Sequence, residues 1–338
     1  MTTVGRSGRK PARVAAVTAV AAALSLLAAC GSSSSTDPTA GGSANAGATA
    51  GTSGSTAAPS AGSTAIPTQD VVSGIQADPK LTAELPASVR SSGTLILGTT
   101  QSPGTSGLPH AGENAAGQPI GLDVDLRNAV AKVLGVNWSV QYGTFPTVIP
   151  GVQNGKFDVG QDNFGVTKAR EQVVSFSTDL NDGQSFLGGT ATTLTSVTSL
   201  TDLCGLTVAT SPGSTFQQIL TAGASKCAAV GKKPYQVQYF SDDGPIFLGL
   251  ANGKVDIDFG PTLSLKYDAA HIAGTKYLGQ ISATPVGFVT AKSSPLAKPL
   301  TDAVNELIAN GDYAKIFAKW GVTGTGVSES QVNPTPTL

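Results

Sequence analysis

The sequence predicts an α/β fold in two lobes, and three observations predict it. Strand and helix patterns alternate from residue 94 to residue 159. The same alternation starts again at residue 206, and a last pair of amphipathic helices closes the chain. Alternation of this kind implies βαβ units and parallel sheets.

The elements follow in order. Thr94-Leu-Ile-Leu-Gly98 is a short apolar strand after a Ser-Ser-Gly turn. Between Leu122 and Leu134, the residues Leu122, Leu126, Val130, Val133 and Leu134 recur at helical spacing. Gly135 supplies the stop that a helix C-terminus favours. Trp138 to Tyr142 reads as a strand, Phe145 to Gln153 as a short helix, Gly155 as a turn, and Phe157-Asp-Val159 as a strand. The second series runs Leu206 to Ala209 (strand), Thr215 to Ala222 (helix) and Gln236 to Phe240 (strand). Pro245 to Ala251 (helix) and Lys254 to Phe259 (strand) complete it. The chain then crosses back through Gly287 to Thr290. Ala303, Leu307 and Ile308, then Tyr313, Ile316, Phe317 and Trp320, mark the final helices. The expected division is 71–188 plus 290–327 for lobe 1, 189–289 for lobe 2, and a flexible tail over 328–338. Hinges are expected near Phe186–Gly189 and Pro285–Thr290. A cleft between two lobes is a common ligand site.

The first residues read as a targeting segment. Arg6, Arg9, Lys10 and Arg13 precede an apolar run from Val14 to Ala29, interrupted only by Thr18 and Ser25. That run is shorter than the roughly 20 residues a membrane-spanning helix needs. It ends in Leu27-Ala-Ala-Cys30, which resembles a bacterial lipobox with Cys30 as the lipidation site. An ordinary cleavage site beside an incidental cysteine is the alternative. A segment of Ser, Thr, Gly and Ala follows to about residue 65. It has too little apolar surface to offset the entropy of ordering it, so residues 30–70 are expected to form a flexible linker.

The chain carries 21 basic and 22 acidic residues. The leader, residues 1–29, holds four basic residues and no acidic ones, so the remainder has 17 against 22. An acidic chain without a basic stripe argues against nucleic acid as a partner. With Cys30 lipidated, Cys204 and Cys227 remain. An even pair in an exported protein points to a disulfide, with free buried thiols as the alternative. Two cysteines and the distant His110 and His271 make no metal-ligand cluster, so no metal or cofactor is expected.

Several segments, taken together, resemble the family 3 solute-binding proteins of ABC transporters, the polar amino-acid receptors. Gly121-Leu-Asp-Val-Asp-Leu126 looks like that family's G-F-D-V-D-L, and Ile149-Pro-Gly-Val-Gln-Asn-Gly-Lys-Phe-Asp-Val159 like its I-P-A-L-Q-S-G-K-F-D-V. Val166-Thr-Lys-Ala-Arg170 and Val174-Ser-Phe-Ser177 match in turn. Then come Leu203 to Ala209, Pro212-Gly-Ser-Thr215, Gly253-Lys-Val-Asp256 and Asn310 to Trp320. Each match is short; their order over residues 93 to 321 carries the resemblance. It implies a two-lobed periplasmic-binding-protein-like fold of type II, a permease partner, a monomer, and a small carboxylate ligand held at the cleft.

The resemblance also nominates residues. Arg170 stands where the family holds the ligand's carboxylate, as a planar guanidinium can with two charge-assisted hydrogen bonds. Gly213, Ser214 and Thr215 lead into a helix whose N-terminal N–H groups and dipole favour an anion; ordinary N-capping is the competing reading. Phe145 is placed to pack on the ligand or simply in the core. Asn163 and Gly165 match a segment lining the first lobe. Two departures stand out. The positions that usually hold the ammonium-binding aspartates are Thr100 and Pro261. Asp162 is the expected substitute, with Asp258 the weaker choice, while Asp256 matches a structural residue. The exact ligand is left open by these departures.

Two other classes compete: a cyclohexadienyl-dehydratase-like enzyme on the same scaffold, and a sensor without a transporter. The enzyme would need a cleft acid or base, and Glu113 and Glu171 are the only glutamates near the motifs. No Ser-His-Asp arrangement, metal cluster or phosphate-binding loop accompanies them, so the chain is not expected to be an enzyme.

Overall fold

The computed structural model describes residues 65–338. The leader, Cys30 and the linker to residue 64 lie outside the described residues. Lobe 1 begins with two short helices, α1 (Pro79–Glu84) and α2 (Ala87–Ser92), and strand β1 (Thr94–Thr100). A small ribbon of β2 (Gly112–Glu113) and β3 (Pro119–Ile120) leads into α3 (Leu122–Leu134). Then come β4 (Asn137–Gly143), α4 (Phe145–Gln153), β5 (Val159–Gly165) and α5 (Lys168–Glu171). Strand β6 (Val174–Gly189) crosses to lobe 2. That lobe holds β7 (Thr207–Thr210), α6 (Thr215–Gly223), α7 (Lys226–Ala229), β8 (Gln236–Tyr239), α8 (Asp243–Asn252), β9 (Ile257–Pro261) and α9 (Thr262–His271). Strand β10 (Thr275–Ala291) returns to lobe 1, which α10 (Ala297–Asn310) and α11 (Asp312–Lys319) complete.

The strands form one sheet in the order β4-β1-β5-β10-β6-β9-β7-β8. Strands β4, β1 and β5 pair in parallel at one end, and β9, β7 and β8 do so at the other. The long antiparallel pair β6 and β10 joins them. Each end has its own core. Leu95, Leu97, Leu126, Val130, Leu300, Leu307 and Phe317 pack together in lobe 1. Phe186, Leu203, Val208, Leu220, Ile257 and Phe259 do so in lobe 2. The expected spans of α3 and α4 coincide with the observed ones, because their apolar stripes are regular and Gly135 ends α3 in a left-handed conformation.

Four expectations are corrected. The strand read at Phe157–Val159 starts at Val159; Phe157 is instead a core residue. The lobe boundary falls earlier than expected. Phe186 and Leu187 belong to lobe 2 packing, whereas Phe288 and Val289 belong to lobe 1. Val174 to Leu180 pair with the lobe 1 half of β10, and Gln184 to Gly188 pair with β9. The chains therefore cross at about residues 181–183 and 283–285. The tail is docked rather than loose. Ser177 bridges Val332 and Leu180 bridges Gly326, covering the edge of β6 that β9 leaves open. Ser330 Oγ donates to the Thr178 carbonyl, and Asn333 Oδ1 accepts from the Phe176 N–H at 2.8 Å. An uncovered strand edge is a site for unwanted pairing, and the tail closes it. Finally, Ile66 already packs against the lobe 1 core, so the folded part begins before residue 70.

Cys204 and Cys227 are joined, with Cα atoms 5.6 Å apart. The bridge ties the 3-10 turn Leu200–Leu203 to α7 at the lobe 2 core. On the chain-entropy model, closing such a loop contributes roughly 3 kcal/mol.

Candidate functional site

A cavity of about 510 Å³ lies between the lobes. Its lobe 1 wall carries Thr100, His110, Asp123, Arg127, Phe145, Asp162, Asn163 and Arg170. Facing residues of lobe 2 include Ser214, Thr215, Asp243, Asp258, Phe259, Pro261 and Asp268.

Arg170 is held from both sides. Thr167 caps α5 and accepts from the Arg170 N–H at 3.2 Å. One guanidinium nitrogen, Nη1, donates to the Gly165 carbonyl at 2.9 Å, and Nη2 donates across the cleft to the Gly213 carbonyl at 3.1 Å. The other three N–H donors make no hydrogen bond to a described residue. Phe145 and Phe164 flank the cation at 5.6 and 5.5 Å from their ring centroids. The side chain is only 7% exposed. Burial pulls its pKa down to about 10, with Asp162 opposing, so the group stays cationic at neutral pH.

The loop into α6 supplies less than the sequence promised. Ser214 caps the helix: Oγ accepts from the Gln217 N–H at 3.1 Å and donates to the Ser211 carbonyl at 2.6 Å. Gly213 gives its N–H to Gln217 Oε1 at 2.6 Å, so only its carbonyl serves the site. Thr215 lines the cavity. The N–H groups at the first two positions of α6, Thr215 and Phe216, have no intrahelical acceptor and sit at the positive end of the helix dipole. Gly165 and Gly213 stand behind Arg170 rather than on the wall. A Cβ at Gly165 would lie 3.0 Å from Thr284 Cγ2 and 3.2 Å from Thr215 Cγ2, so any side chain there would have to push these threonines back by a few tenths of an ångström.

Asp162 faces the cavity. Its Oδ1 accepts from Thr100 Oγ1 at 2.8 Å, while Oδ2 is buried without a partner among the described residues. Burial pushes this carboxyl up to about 7, against the Thr100 hydrogen bond. Asn163 adopts φ 49° and donates to Asp182 Oδ2 at 2.9 Å. Asp256 accepts from the Thr207 N–H at 2.8 Å and is structural, as expected. Glu113 and Glu171 do not line the cavity.

Three further residues escaped sequence reasoning. His110 lies between Asp123 and Asp182, with Nδ1 3.2 Å from one carboxylate and Nε2 2.9 Å from the other. Burial pulls the ring's pKa down, but the two carboxylates outweigh it and hold it well above the usual value. Asp182 also accepts from the Gly183 and Leu263 N–H groups, linking lobe 1, the crossing strand and α9. Arg127, buried on α3, also faces the cavity. The sequence signal for it was a charge four residues after Asp123, on the same face of α3. His110 gave none, being a lone histidine in a loop.

The model of the bacterial extracellular solute-binding proteins, family 3, matches residues 105–323. The chain belongs to this family. An arginine-binding protein, ArgT, of Corynebacterium glutamicum is 27% identical over 265 residues, covering 76% of this chain and 84% of its own length. Among solved structures, an ancestral arginine-binding protein bound to arginine is 31% identical. It has a TM-score of 0.59 and covers 68% of this chain and 98% of its own. The ancestral amino acid-binding protein AncCDT-1, a precursor of cyclohexadienyl dehydratase, is 26% identical with a TM-score of 0.59, covering 69% and 97%. Family and fold therefore agree with the two-lobed α/β reading, and the relatives are named as binding proteins.

Proposed function

We propose that this chain is the receptor of an ABC importer, tethered outside the cytoplasm through lipidated Cys30, and that it takes a small amino acid between its lobes. The ligand's carboxylate sits on Arg170 and the first turn of α6. Its α-ammonium faces Asp162. Phe145 packs beside the pair. One observation carries the reading: a buried guanidinium spans the cleft, fixed by one carbonyl from each lobe, with unused donors toward the cavity.

The physics of such a site is differential contact. A ligand that touches Arg170 from lobe 1 and Thr215 from lobe 2 makes both contacts only when the lobes are closed, so binding shifts the equilibrium to that state. Bending is expected at residues 181–183 and 283–285, where β6 and β10 pass from one lobe to the other. The closed form is what a permease would recognise.

Isothermal titration of the purified protein against a panel of amino acids, betaines and dicarboxylates tests this. We expect binding of amino acids, and a loss of about 3 kcal/mol in Arg170→Ala, as a buried charged hydrogen-bonding partner disappears. Unchanged affinity in the variant would remove Arg170 from the site. Mass spectrometry of the mature N-terminus checks the anchor: an acylated cysteine at position 30 is expected.

A further inference from the structure

The two walls of the cavity differ in how their charges are completed. On lobe 1, Asp123 and Asp182 hold His110 between them, and Asp162 accepts from Thr100. Across the cleft, Asp243, Asp258 and Asp268 line the cavity from α8, β9 and α9. None of the three carboxylates makes a hydrogen bond or ion pair with a described residue. Asp268 is 2% exposed, and its Oδ1 is buried with no partner. Asp258 is buried as well, while Asp243 opens to the cleft. Burial, then mutual repulsion with Asp243, pushes the Asp258 and Asp268 carboxyls upward, Asp268 to about 9.

Desolvated carboxylates without donors are unfavourable unless something completes them. No described residue does. Their presence on a ligand-facing wall says that the complement arrives from the cavity. Among the described residues no three acidic, His or Cys side chains converge tightly enough to hold a metal ion. An extended organic cation with several N–H donors suits three separated carboxylates; a compact ion does not.

We propose that Asp243, Asp258 and Asp268 form a cation subsite on the lobe 2 wall that takes a guanidinium or ammonium at the side-chain end of the ligand. The proposal rests on the amino-acid reading given above, and it moves the site's selectivity to lobe 2. Pro261, between Asp258 and Asp268 in sequence, occupies the position where the family pattern usually has its ammonium-binding aspartate. The acidic wall thus surrounds that lost position without replacing it in kind.

The test uses L-arginine and L-citrulline, which have nearly the same shape but carry a guanidinium and a neutral urea. Calorimetry on the purified protein should show arginine bound at least tenfold more tightly. In Asp258→Asn and Asp268→Asn that preference should fall below threefold. Equal affinities in the unaltered protein would overturn the proposal without variants, whatever those variants do to folding. So would variants that weaken both ligands alike, since that result assigns the wall to the α-ammonium. Failure of both ligands to bind while another amino acid does would overturn the subsite alone; failure of every amino acid tried would remove the amino-acid reading and the subsite with it.

Discussion

The two walls of the cavity show how one fold treats buried charge in opposite ways. On lobe 1, Asp182 is completed internally: it accepts from His110, Asn163 and two backbone N–H groups. Lobe 2 leaves Asp258 and Asp268 without donors among the described residues. A carboxylate with donors on every side holds the structure together. A carboxylate without them weakens the empty protein and is paired only by an incoming cation. The difference separates scaffold from recognition more sharply than burial does, because both sets are buried.

The comparison can be broken by removing a charge from each wall. The largest effect is expected in Asp182→Asn, which strands His110 beside a single carboxylate and disturbs the tie to α9. Thermal or denaturant unfolding should show a loss of about 3–5 kcal/mol, the usual consequence of breaking a buried pair. Asp268→Asn should do the opposite. Removing a buried carboxyl that must take up a proton to fold should stabilise the ligand-free protein by about 1–3 kcal/mol at pH 8. A stabilised Asp182 variant or a destabilised Asp268 variant would erase the distinction between the walls.

The same pair predicts a pH dependence with a definite sign. The folded pKa of Asp268 is raised, with Asp243 of α8 and Asp258 of β9 as the charges facing it. Its favourable contribution is therefore complete below the unfolded value of about 4 and is lost as pH rises toward about 9. The melting-temperature gap between Asp268→Asn and the unaltered protein should accordingly be absent near pH 4 and widen to pH 9. A gap that stays constant over this range would contradict the assignment. The smallest effect is expected on the anion side of the site. Phe145→Leu removes one of two rings flanking Arg170 and should weaken binding by about 0.5–1 kcal/mol by calorimetry.

Much of this fold could be read from pattern, and the exceptions have a common cause. Helices α3 and α4 announce themselves through regular apolar stripes and punctuating glycines, and Arg170 is found by its place in an ordered set of short matches. Strand β6 is not readable in that way. Thr178-Asp-Leu-Asn-Asp-Gly-Gln-Ser185 has the composition of a turn, yet it crosses between the lobes with Asp179, Asp182, Gln184 and Ser185 all buried. Its polar atoms are satisfied by partners far away in sequence, such as His110 and Thr262. Helix α9 is hidden for a related reason. Leu263 and Leu265 stand two apart, as in a strand, and Asp268 reads as a solvated charge because an isolated aspartate usually is. Its burial arises only when β6, β10 and β9 pack against α9. The docked tail was missed because nothing local marks a segment whose role is to cover the edge of β6.

The most direct test of the account is a crystal structure of the protein soaked or grown with L-arginine. We expect the carboxylate within hydrogen-bonding distance of the Arg170 guanidinium and the first turn of α6, and the side-chain cation against Asp258 and Asp268. A ligand lying elsewhere, with Arg170 still bonded only to the Gly165 and Gly213 carbonyls, would contradict it.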